Sequence, residues 1–379
     1  MIDQTIDQPE NTHRHNIVLT GSPRSGTTLA CWLLNKVPNT LALVEPIRPF
    51  GFVDPNADAE TIRGAVARFF HRQRRTAQEL GTAQSKNVGG LVPSDPYASR
   101  SGDDGLRYQL AQEGNELGDV EVGDKALGPG FWLVLKDPAT LSALLPVLVD
   151  RFPCYAVIRN PLSILASWDS VNHAARDGHS PVSERYDEGL REELASIPDR
   201  RARQLRLLDW WFSRFRDHLT DDRIIRYEDI VGSGGKALSV INPSARLLDE
   251  TLESKNLNAL YGRDGMPELA ERLLGSEGVY WDYYARSDVE DLLPRMTKTG
   301  YQRGYADAAT GREARSLVGA CEGPSSVREE LEYHAGYAGA LDDQVSGHYD
   351  PAEVAAERGW IPPRQSVRPL AERRDVVTP

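Results

Sequence analysis

Sulfur-containing residues and long apolar runs are scarce in this sequence. The chain has three cysteines and three methionines among 379 residues. Cys31, Cys154 and Cys321 lie far apart and match no zinc-ligand spacing, so no metal site is expected. Cys31 and Cys154 fall within apolar patterns, which predicts reduced core residues. The apolar segment 141–149 is too short to span a bilayer and is interrupted by Pro146, so no membrane partner is expected.

Positive charge is also limited. The sequence contains 44 lysine and arginine residues against 56 aspartate and glutamate residues, which gives a formal net charge of −12. A broadly acidic surface repels polyanions, so neither a nucleic-acid partner nor a large polyanionic acceptor is expected. Residues 1–15 are polar and lack the apolar core of a signal peptide, which predicts a disordered N-terminus on a cytoplasmic protein.

A glycine-rich loop lies between a β-branched apolar run that begins at Asn16 and an apolar helical pattern that begins at Thr27. This order predicts a buried strand that turns sharply into a helix. Such a turn leaves several backbone N–H groups pointing at one spot, where the helix dipole adds positive charge. The sequence therefore predicts a phosphate site formed by Gly21, Ser22, Pro23, Arg24, Ser25, Gly26, Thr27 and Thr28.

The loop resembles the Walker A sequence G-x-x-x-x-G-K-[ST] but lacks its lysine. Gly21 and Gly26 have the Walker spacing, and Thr28 stands where the magnesium-binding hydroxyl would be. Thr27 replaces the lysine, and the loop carries its cation earlier, at Arg24. Because the lysine reaches the terminal phosphates of ATP, its absence weighs against an ATPase or kinase. A kinase-like phosphotransferase, a non-catalytic nucleotide-binding scaffold and a simple glycine turn stay open as alternatives.

Apolar strand patterns alternate with helical patterns along the chain. Further strands are predicted at 41–44, 131–136, 154–158 and within 223–229, and helices at 58–80, 139–151 and 163–168. This alternation implies right-handed parallel crossovers. The predicted fold class is α/β, with a P-loop-type parallel sheet flanked by helices and a helical C-terminal third.

Charged residues follow the predicted strands directly. Glu45, Lys136 and Arg159 each stand at or just beyond a strand end, and Tyr227 follows the last strand. Because parallel strands end at one edge of a sheet, these side chains should lie beside the glycine loop. Taken singly, Glu45 could be a solvated carboxylate before a proline turn, and Arg159 could belong to a structural ion pair.

The intervening segments predict the domain boundaries. We expect one domain over residues 16–345, with loop insertions at 81–105 and 169–183, followed by a loose extension at 346–379. A long arginine-rich helix is predicted at 188–219. The core face of this helix should carry Trp210, Trp211 and Phe215, and a solvated face of helix 58–80 should carry Arg72, Arg74 and Arg75.

The aromatic cluster Tyr280-Trp-Asp-Tyr-Tyr284 permits two interpretations. Aromatic walls would suit a flat apolar acceptor. The same side chains could equally pack a helical cap, and both interpretations stay open at this point.

Four motifs, in the same order along the chain, resemble those of sulfotransferases that use 3′-phosphoadenosine-5′-phosphosulfate (PAPS). The segment Pro23-Arg-Ser-Gly-Thr-Thr28 resembles their 5′-phosphosulfate loop. Arg159-Asn-Pro, with Ser167 on the next helix, resembles their 3′-phosphate motif. Leu135-Lys-Asp-Pro138 looks like a run in tyrosylprotein sulfotransferases, as does the spacing from Arg24 to Glu45. Arg226-Tyr-Glu-Asp-Ile230 resembles the RYEDL segment common in sulfotransferases. Taken together, the motifs most resemble those of tyrosylprotein sulfotransferases and bacterial sulfotransferases.

This resemblance implies a role for each matching residue. Glu45 would be the catalytic base, Lys136 would assist the transfer, and Arg24 would bind the 5′-phosphate. Arg159 and Ser167 would bind the 3′-phosphate, and Tyr227 would lie near the nucleotide. Loop 296–304 only loosely echoes the family's R-K-G-x-x-G loop, with Lys298 as its cofactor-binding candidate.

The activity implied is transfer of a sulfuryl group from PAPS, without a metal, to a hydroxyl of an acceptor. A small-molecule acceptor fits an acidic chain for which no membrane anchor is expected. The segments between the motifs carry no such resemblance, so they leave the acceptor's identity open.

Overall fold

The structure is a computed structural model that describes residues 13–48, 50–97, 102, 104–110, 118–122, 125–258, 261, 265–297, 308 and 333–341. The chain divides into two compact units, residues 1–289 and 290–379. The predicted extension at 346–379, residues 1–12 of the predicted N-terminal tail, Lys298 and Cys321 lie outside the described residues. The predicted single domain at 16–345 stays a prediction.

A five-stranded parallel sheet forms the centre of the first unit. The strands of the described residues are β1 (Asn16–Gly21), β2 (Thr40–Val44), β3 (Thr82–Ser85), β4 (Gly118–Glu121), β5 (Trp132–Lys136), β6 (Cys154–Ile158) and β7 (Ile224–Arg226). The sheet order is β2-β5-β1-β6-β7, and every pairing in it is parallel. The predicted α/β class is thereby confirmed.

Helices connect and flank these strands. They are α1 (Thr27–Leu34), α2 (Ala59–Glu79), α3 (Pro138–Leu148), α4 (Pro161–Asp169), α5 (Pro181–Tyr186), α6 (Glu188–Ser196), α7 (Arg200–His218), α8 (Tyr227–Gly232), α9 (Met266–Leu274) and α10 (Arg286–Thr297). Proline begins α3 and α4, where its missing N–H costs nothing, and Asp137 and Asn160 cap these helices. In the second unit, residues 333–341 are helical.

The long helix predicted at 188–219 is wrong, because the chain breaks between α6 and α7. Pro198 lies in the break, and the side chain of Asp199 caps α7 by accepting a hydrogen bond from the amide of Ala202 at 2.8 Å. A proline followed by an N-cap residue ends one helix and starts the next. The predicted core residues Trp210, Trp211 and Phe215 are confirmed as buried.

The segment predicted as a loop at 81–105 contains β3, so that prediction is wrong in part. β3 pairs with β4 in an antiparallel hairpin. Beyond β3, the amide of Lys86 donates to the carbonyl of Val44 at 2.8 Å. This bond brings Lys86 to the end of β2. The other predicted insertion, 169–183, contains a 3₁₀ turn at Ala174–Asp177 and the start of α5.

Arg74 is buried, contrary to the predicted solvated face of α2. Its guanidinium donates to Asn16 Oδ1 at 2.7 Å, to the carbonyl of Phe131 at 2.7 Å and to the carbonyl of His15 at 3.0 Å. These bonds tie α2 to the start of the sheet. Burial lowers the pKa of Arg74 to about 10, so the side chain keeps its charge at neutral pH.

The remaining core predictions concern the cysteines and the aromatic cluster. Cys31 and Cys154 are buried as free thiols, and burial raises the pKa of each to about 12. Tyr280 is buried and packs edge-on against Phe212. Tyr284 is buried as well, and the ring of Tyr283 packs against Phe212, so these three tyrosines contribute to packing. Within the described part of the chain, no helix has both the length and the apolar character needed to cross a bilayer.

Candidate functional site

A cavity of about 880 Å³ lies at the carboxyl edge of the parallel sheet. The predicted site residues that line it are Pro23, Arg24, Gly26, Thr27, Thr28, Glu45, Lys136, Arg159 and Tyr227. Gly21, Ser22, Ser25 and Ser167 belong to the same elements but do not line the cavity. Three parallel strands, β2, β5 and β6, thus deliver a carboxylate, a lysine and an arginine to one volume.

The glycine loop reaches the cavity through a bent backbone. Arg24 has a φ of 71° and Gly26 a φ of 100°. A left-handed conformation at a non-glycine residue costs energy and often marks a functional position. Among the described side chains, none caps α1, whereas Asp137 and Asn160 cap α3 and α4. The first amides of α1 are therefore available to an anion.

Two residues that follow β6 hold the loop in place through its backbone carbonyls. The indole of Trp168 on α4 donates to the carbonyl of Pro23 at 2.9 Å, and Arg159 donates to the carbonyl of Arg24 at 3.0 Å. At the loop's start, a Cβ added to Gly21 would lie 2.4 Å from the carbonyl oxygen of Val157. Glycine is therefore required for β1 and β6 to approach this closely.

We expect Gly26→Ala to destabilise the protein more than Gly51→Ala. Both glycines have nearly the same left-handed φ, 100° and 98°, so the backbone strain is matched. An added Cβ would lie 2.5 Å from the Tyr227 ring at position 26, but would meet nothing within 4 Å at position 51. Tyr227 cannot yield easily, because it is buried and its hydroxyl accepts a hydrogen bond from the amide of Lys255.

The extra cost at Gly26 should be about 1–3 kcal/mol, the usual range for overpacking. Urea unfolding of the two variants measures it directly. Equal losses of stability would show that the ring of Tyr227 does not support the loop.

Glu45 lies between two lysines. Its Oε1 accepts from Lys136 Nζ at 2.6 Å, and its Oε2 accepts from Lys86 Nζ at 2.6 Å. The side chain of Lys136 is only 3% exposed, and that of Glu45 is 28% exposed. Glu45 also has a left-handed φ of 44°, and its amide donates to the carbonyl of Lys136 at 2.6 Å. The backbone therefore directs this carboxylate into the cavity at the cost of strain.

The charges around Glu45 set its ionisation. Burial opposes the charged form, but Lys136 and Lys86 outweigh burial and hold the pKa of Glu45 well below its ordinary value. Next to this cluster, burial and the charge of Glu45 raise the pKa of Asp137 to about 6. Burial lowers the pKa of the neighbouring His173 to about 4. At neutral pH Glu45 is therefore ionised and His173 is neutral.

Arg24 is engaged by a carboxylate and an aromatic ring. Its guanidinium donates to Asp95 Oδ1 from both terminal nitrogens at 3.2 Å and to Ser167 Oγ from Nε at 3.1 Å. It also lies over the ring of Tyr97, 4.5 Å from the centroid. Burial opposes the charge of Asp95, but Arg24 outweighs burial and lowers the pKa of that carboxyl. The hydroxyl of Ser167 thus helps to fix the position of the Arg24 guanidinium.

Arg159 is buried in a second polar network. It donates to Asn256 Oδ1 at 2.6 Å and to the hydroxyl of Tyr261 at 3.1 Å, and it lies 4.6 Å from the centroid of the Tyr227 ring. Asn256 in turn donates to Glu228 Oε1 at 2.9 Å. Nη1 and Nη2 of Arg159 each carry two N–H groups. Within the described part of the chain, Nη1 donates one bond, to the carbonyl of Arg24, and Nη2 donates one, to the hydroxyl of Tyr261. One N–H on each nitrogen therefore has no acceptor among the described residues and can serve a ligand.

Sequence reasoning missed Lys86, Asp95 and His173. The three residues line the cavity from the hairpin side and from the segment after α4. None of them follows a strand of the parallel sheet, which was the signal that identified the other site residues. The polar segment between β3 and Tyr97 has no periodicity that would have placed Lys86 against Glu45.

No known family model matches this chain, and no curated protein matches it. It is similar to two solved structures of bacterial sulfotransferases. One is STF1 from Mycobacterium tuberculosis H37Rv, with 13% identity, a TM-score of 0.28, and coverage of 75% of this chain and 78% of that chain. The other is STF9 from Mycobacterium avium, with 18% identity, a TM-score of 0.25, and coverage of 76% and 77%.

Proposed function

We propose that the protein transfers a sulfuryl group from PAPS to a hydroxyl group of a small-molecule acceptor. The observation that carries this proposal is the composition of one cavity. A glycine loop with an uncapped helix start, a Glu45–Lys136 pair and the buried Arg159 all line it. A carboxylate positioned beside an anion site can accept the proton of an acceptor hydroxyl that attacks the bound anion.

The donor set of the cavity fits a nucleotide with several anionic groups. Six cationic side chains and four carboxylates line it among the described residues: Arg24, Arg48, Lys86, Lys136, Arg159 and Lys255, against Glu45, Asp95, Asp137 and Glu253. The remaining N–H groups of Arg159 are directed donors of fixed charge, which suit a phosphate. When bound, PAPS would supply the sulfuryl group and a phosphate leaving group.

Each residue then has a defined task. The 5′-phosphate is bound by Arg24, Thr27, Thr28 and the first amides of α1. Arg159 binds the 3′-phosphate. The hydroxyl of Ser167, the second residue predicted for the 3′-phosphate, holds Arg24 in place. Glu45 accepts the proton of the acceptor hydroxyl. Lys136 stabilises the negative charge that develops on the bridging oxygen as the phosphate leaves. Such fixed donors act strongly because they are already oriented in a partly dry cavity.

The acceptor is proposed to bind on the side of the cavity formed by the segments after β2 and α4. Its walls include the apolar side chains of Ile47, Phe50, Ala174 and Val182, beside the neutral His173. Such walls favour an acceptor with an apolar skeleton and a single hydroxyl directed at Glu45.

Incubating the protein with PAPS and a metabolite extract tests the proposal. Mass spectrometry should detect products that have gained one sulfuryl group, and heat-inactivated protein is the control. Products that have instead gained a phosphoryl group in the presence of magnesium and ATP would favour a kinase-like activity.

We expect Asp95→Asn to tighten binding of 3′,5′-adenosine bisphosphate (PAP), the product of PAPS. Asp95 competes with an anionic ligand for Arg24, and the pair is partly exposed, so the gain should be about fivefold, or roughly 1 kcal/mol. Asp104→Asn is a control, since among the described residues Asp104 accepts hydrogen bonds from the amide of Leu106 and the hydroxyl of Tyr108, both in its own exposed segment. Calorimetry measures both variants, and weaker binding by Asp95→Asn would show that Asp95 orients Arg24 for the ligand.

A further inference from the structure

Lys86 contacts the proposed base but belongs to none of the motifs. It directly follows β3, and its amide donates to the carbonyl of Val44, the last residue of β2. From this position its side chain reaches Glu45 Oε2 at 2.6 Å, while Lys136 takes Oε1 at the same distance. The carboxylate is therefore held at both oxygens.

Holding both oxygens fixes the orientation of the carboxylate plane without closing it to an acceptor. Each carboxylate oxygen has two lone-pair sites, so Oε2 can accept from Lys86 and from an acceptor hydroxyl together. The two lysines differ in exposure, because the side chain of Lys86 is 29% exposed and that of Lys136 is 3% exposed. Lys86 therefore lies on the more open side of Glu45.

We infer that Lys86 is a positioning residue of the proposed reaction, which holds Oε2 of Glu45 toward the acceptor and keeps the carboxylate ionised. This inference rests on the proposed function for the role of Glu45, but the contact itself does not. Lys86 is positively charged at neutral pH, since the charge of Glu45 raises the pKa of the Lys86 ammonium group.

Other groups around Glu45 also affect its ionisation. Lys136 and Asp137 face it from β5 and the start of α3, Cys31 from α1, Tyr97 from the segment between β3 and β4, and His173 from the segment after α4. Cys31 and Tyr97 stay uncharged at neutral pH, because burial raises the pKa of each. Among the described residues, Lys86 and Lys136 are thus the cations bonded to Glu45. Lys86 is the better residue to replace, because its side chain is partly exposed and its removal leaves no buried cavity.

The test is a pH titration of Glu45 in the Lys86→Met variant. The titration is monitored by ¹³C NMR of the glutamate carboxyl groups, and the Glu45 signal is assigned by its absence in Glu45→Gln. Removing one adjacent cation should raise the titration midpoint by about 1–3 pH units. Lys86→Arg should keep the wild-type midpoint. Lys236→Met is the matched control, because it breaks a 2.7 Å pair with Asp249 outside the cavity. If the methionine variant does not fold, Lys86→Gln replaces it.

An unchanged midpoint in Lys86→Met overturns the inference. In turnover assays the acid limb of kcat/KM should move upward with the midpoint, and Lys86→Arg should restore it. If the midpoint moves and the acid limb does not, Lys86 acts on a carboxylate outside the reaction, and its positioning role is likewise overturned. Failure of the proposed function looks different: no PAPS-dependent turnover occurs in the wild type, while the titration still responds to Lys86.

Discussion

Replacing Glu45 with glutamine should lower the turnover of PAPS-dependent sulfuryl transfer by about 10²–10⁴-fold, the usual contribution of a positioned base. The amide keeps the size of the side chain but cannot take a proton from the acceptor hydroxyl. Lys136 loses the charge of its partner at 2.6 Å but keeps an oxygen to which it can donate. Binding of PAP should therefore persist, because the glycine loop and Arg159 are unchanged.

A matched control for this variant is Glu250→Gln. Glu250 accepts from Lys36 at 2.6 Å and is 31% exposed, close to the 28% of Glu45, but it does not line the cavity. The control should retain full turnover. Near-normal turnover of Glu45→Gln, measured with saturating PAPS, would remove Glu45 as the base.

Arg159→Ala should weaken the binding of PAP by about 10- to 100-fold, as expected for the loss of a hydrogen bond between charged groups. Binding of AMP, which lacks the 3′-phosphate, should change much less. The difference between the two nucleotides separates a direct phosphate contact from a general disturbance of the loop, which Arg159 also supports through the carbonyl of Arg24.

The stability cost of losing a buried arginine needs its own control. Arg74 is also buried and makes three hydrogen bonds within the protein, but it does not line the cavity. Arg74→Ala should lower the unfolding temperature without changing the ratio of the PAP and AMP affinities. Equal losses of affinity for PAP and AMP in Arg159→Ala would contradict the assigned 3′-phosphate site.

The sequence predicts most of the sheet because its strands are short apolar runs that end in polar residues. β6 was predicted with its observed bounds, and the parallel order follows from the alternation of strands and helices. The same rule brought Glu45, Lys136 and Arg159 to one edge. Lys136 is the last residue of its strand and the other two directly follow theirs, so their positions depend on local pattern more than on distant contacts.

Other features depend on contacts that no local pattern encodes. β3 and β4 are four-residue polar strands that pair with each other, so they lack the apolar run of a buried strand. Lys86 and Asp95 belong to the segment that connects β3 to β4, and that segment brings them to the site. Arg74 did leave a signal, because it lies four residues after Phe70 and three before Ala77, on the buried face of α2.

The ionisation of the site could not be predicted from residue types alone. A glutamate at a strand end has no fixed pKa, since burial and nearby cations act on it in opposite directions. In this structure Lys86 and Lys136 decide the outcome, and Glu45 is ionised. Its low pKa means that an acid limb due to Glu45 should lie below the ordinary range of a glutamate carboxyl.

The central claim is that the cavity at the sheet edge binds an adenosine nucleotide with phosphates at both the 3′ and 5′ positions. Calorimetric titration of the wild-type protein with PAP, and separately with ATP and magnesium, tests it most directly. The account predicts saturable binding of PAP that is tighter than that of magnesium-ATP and is weakened in Arg159→Ala. Binding of magnesium-ATP without measurable binding of PAP would contradict it.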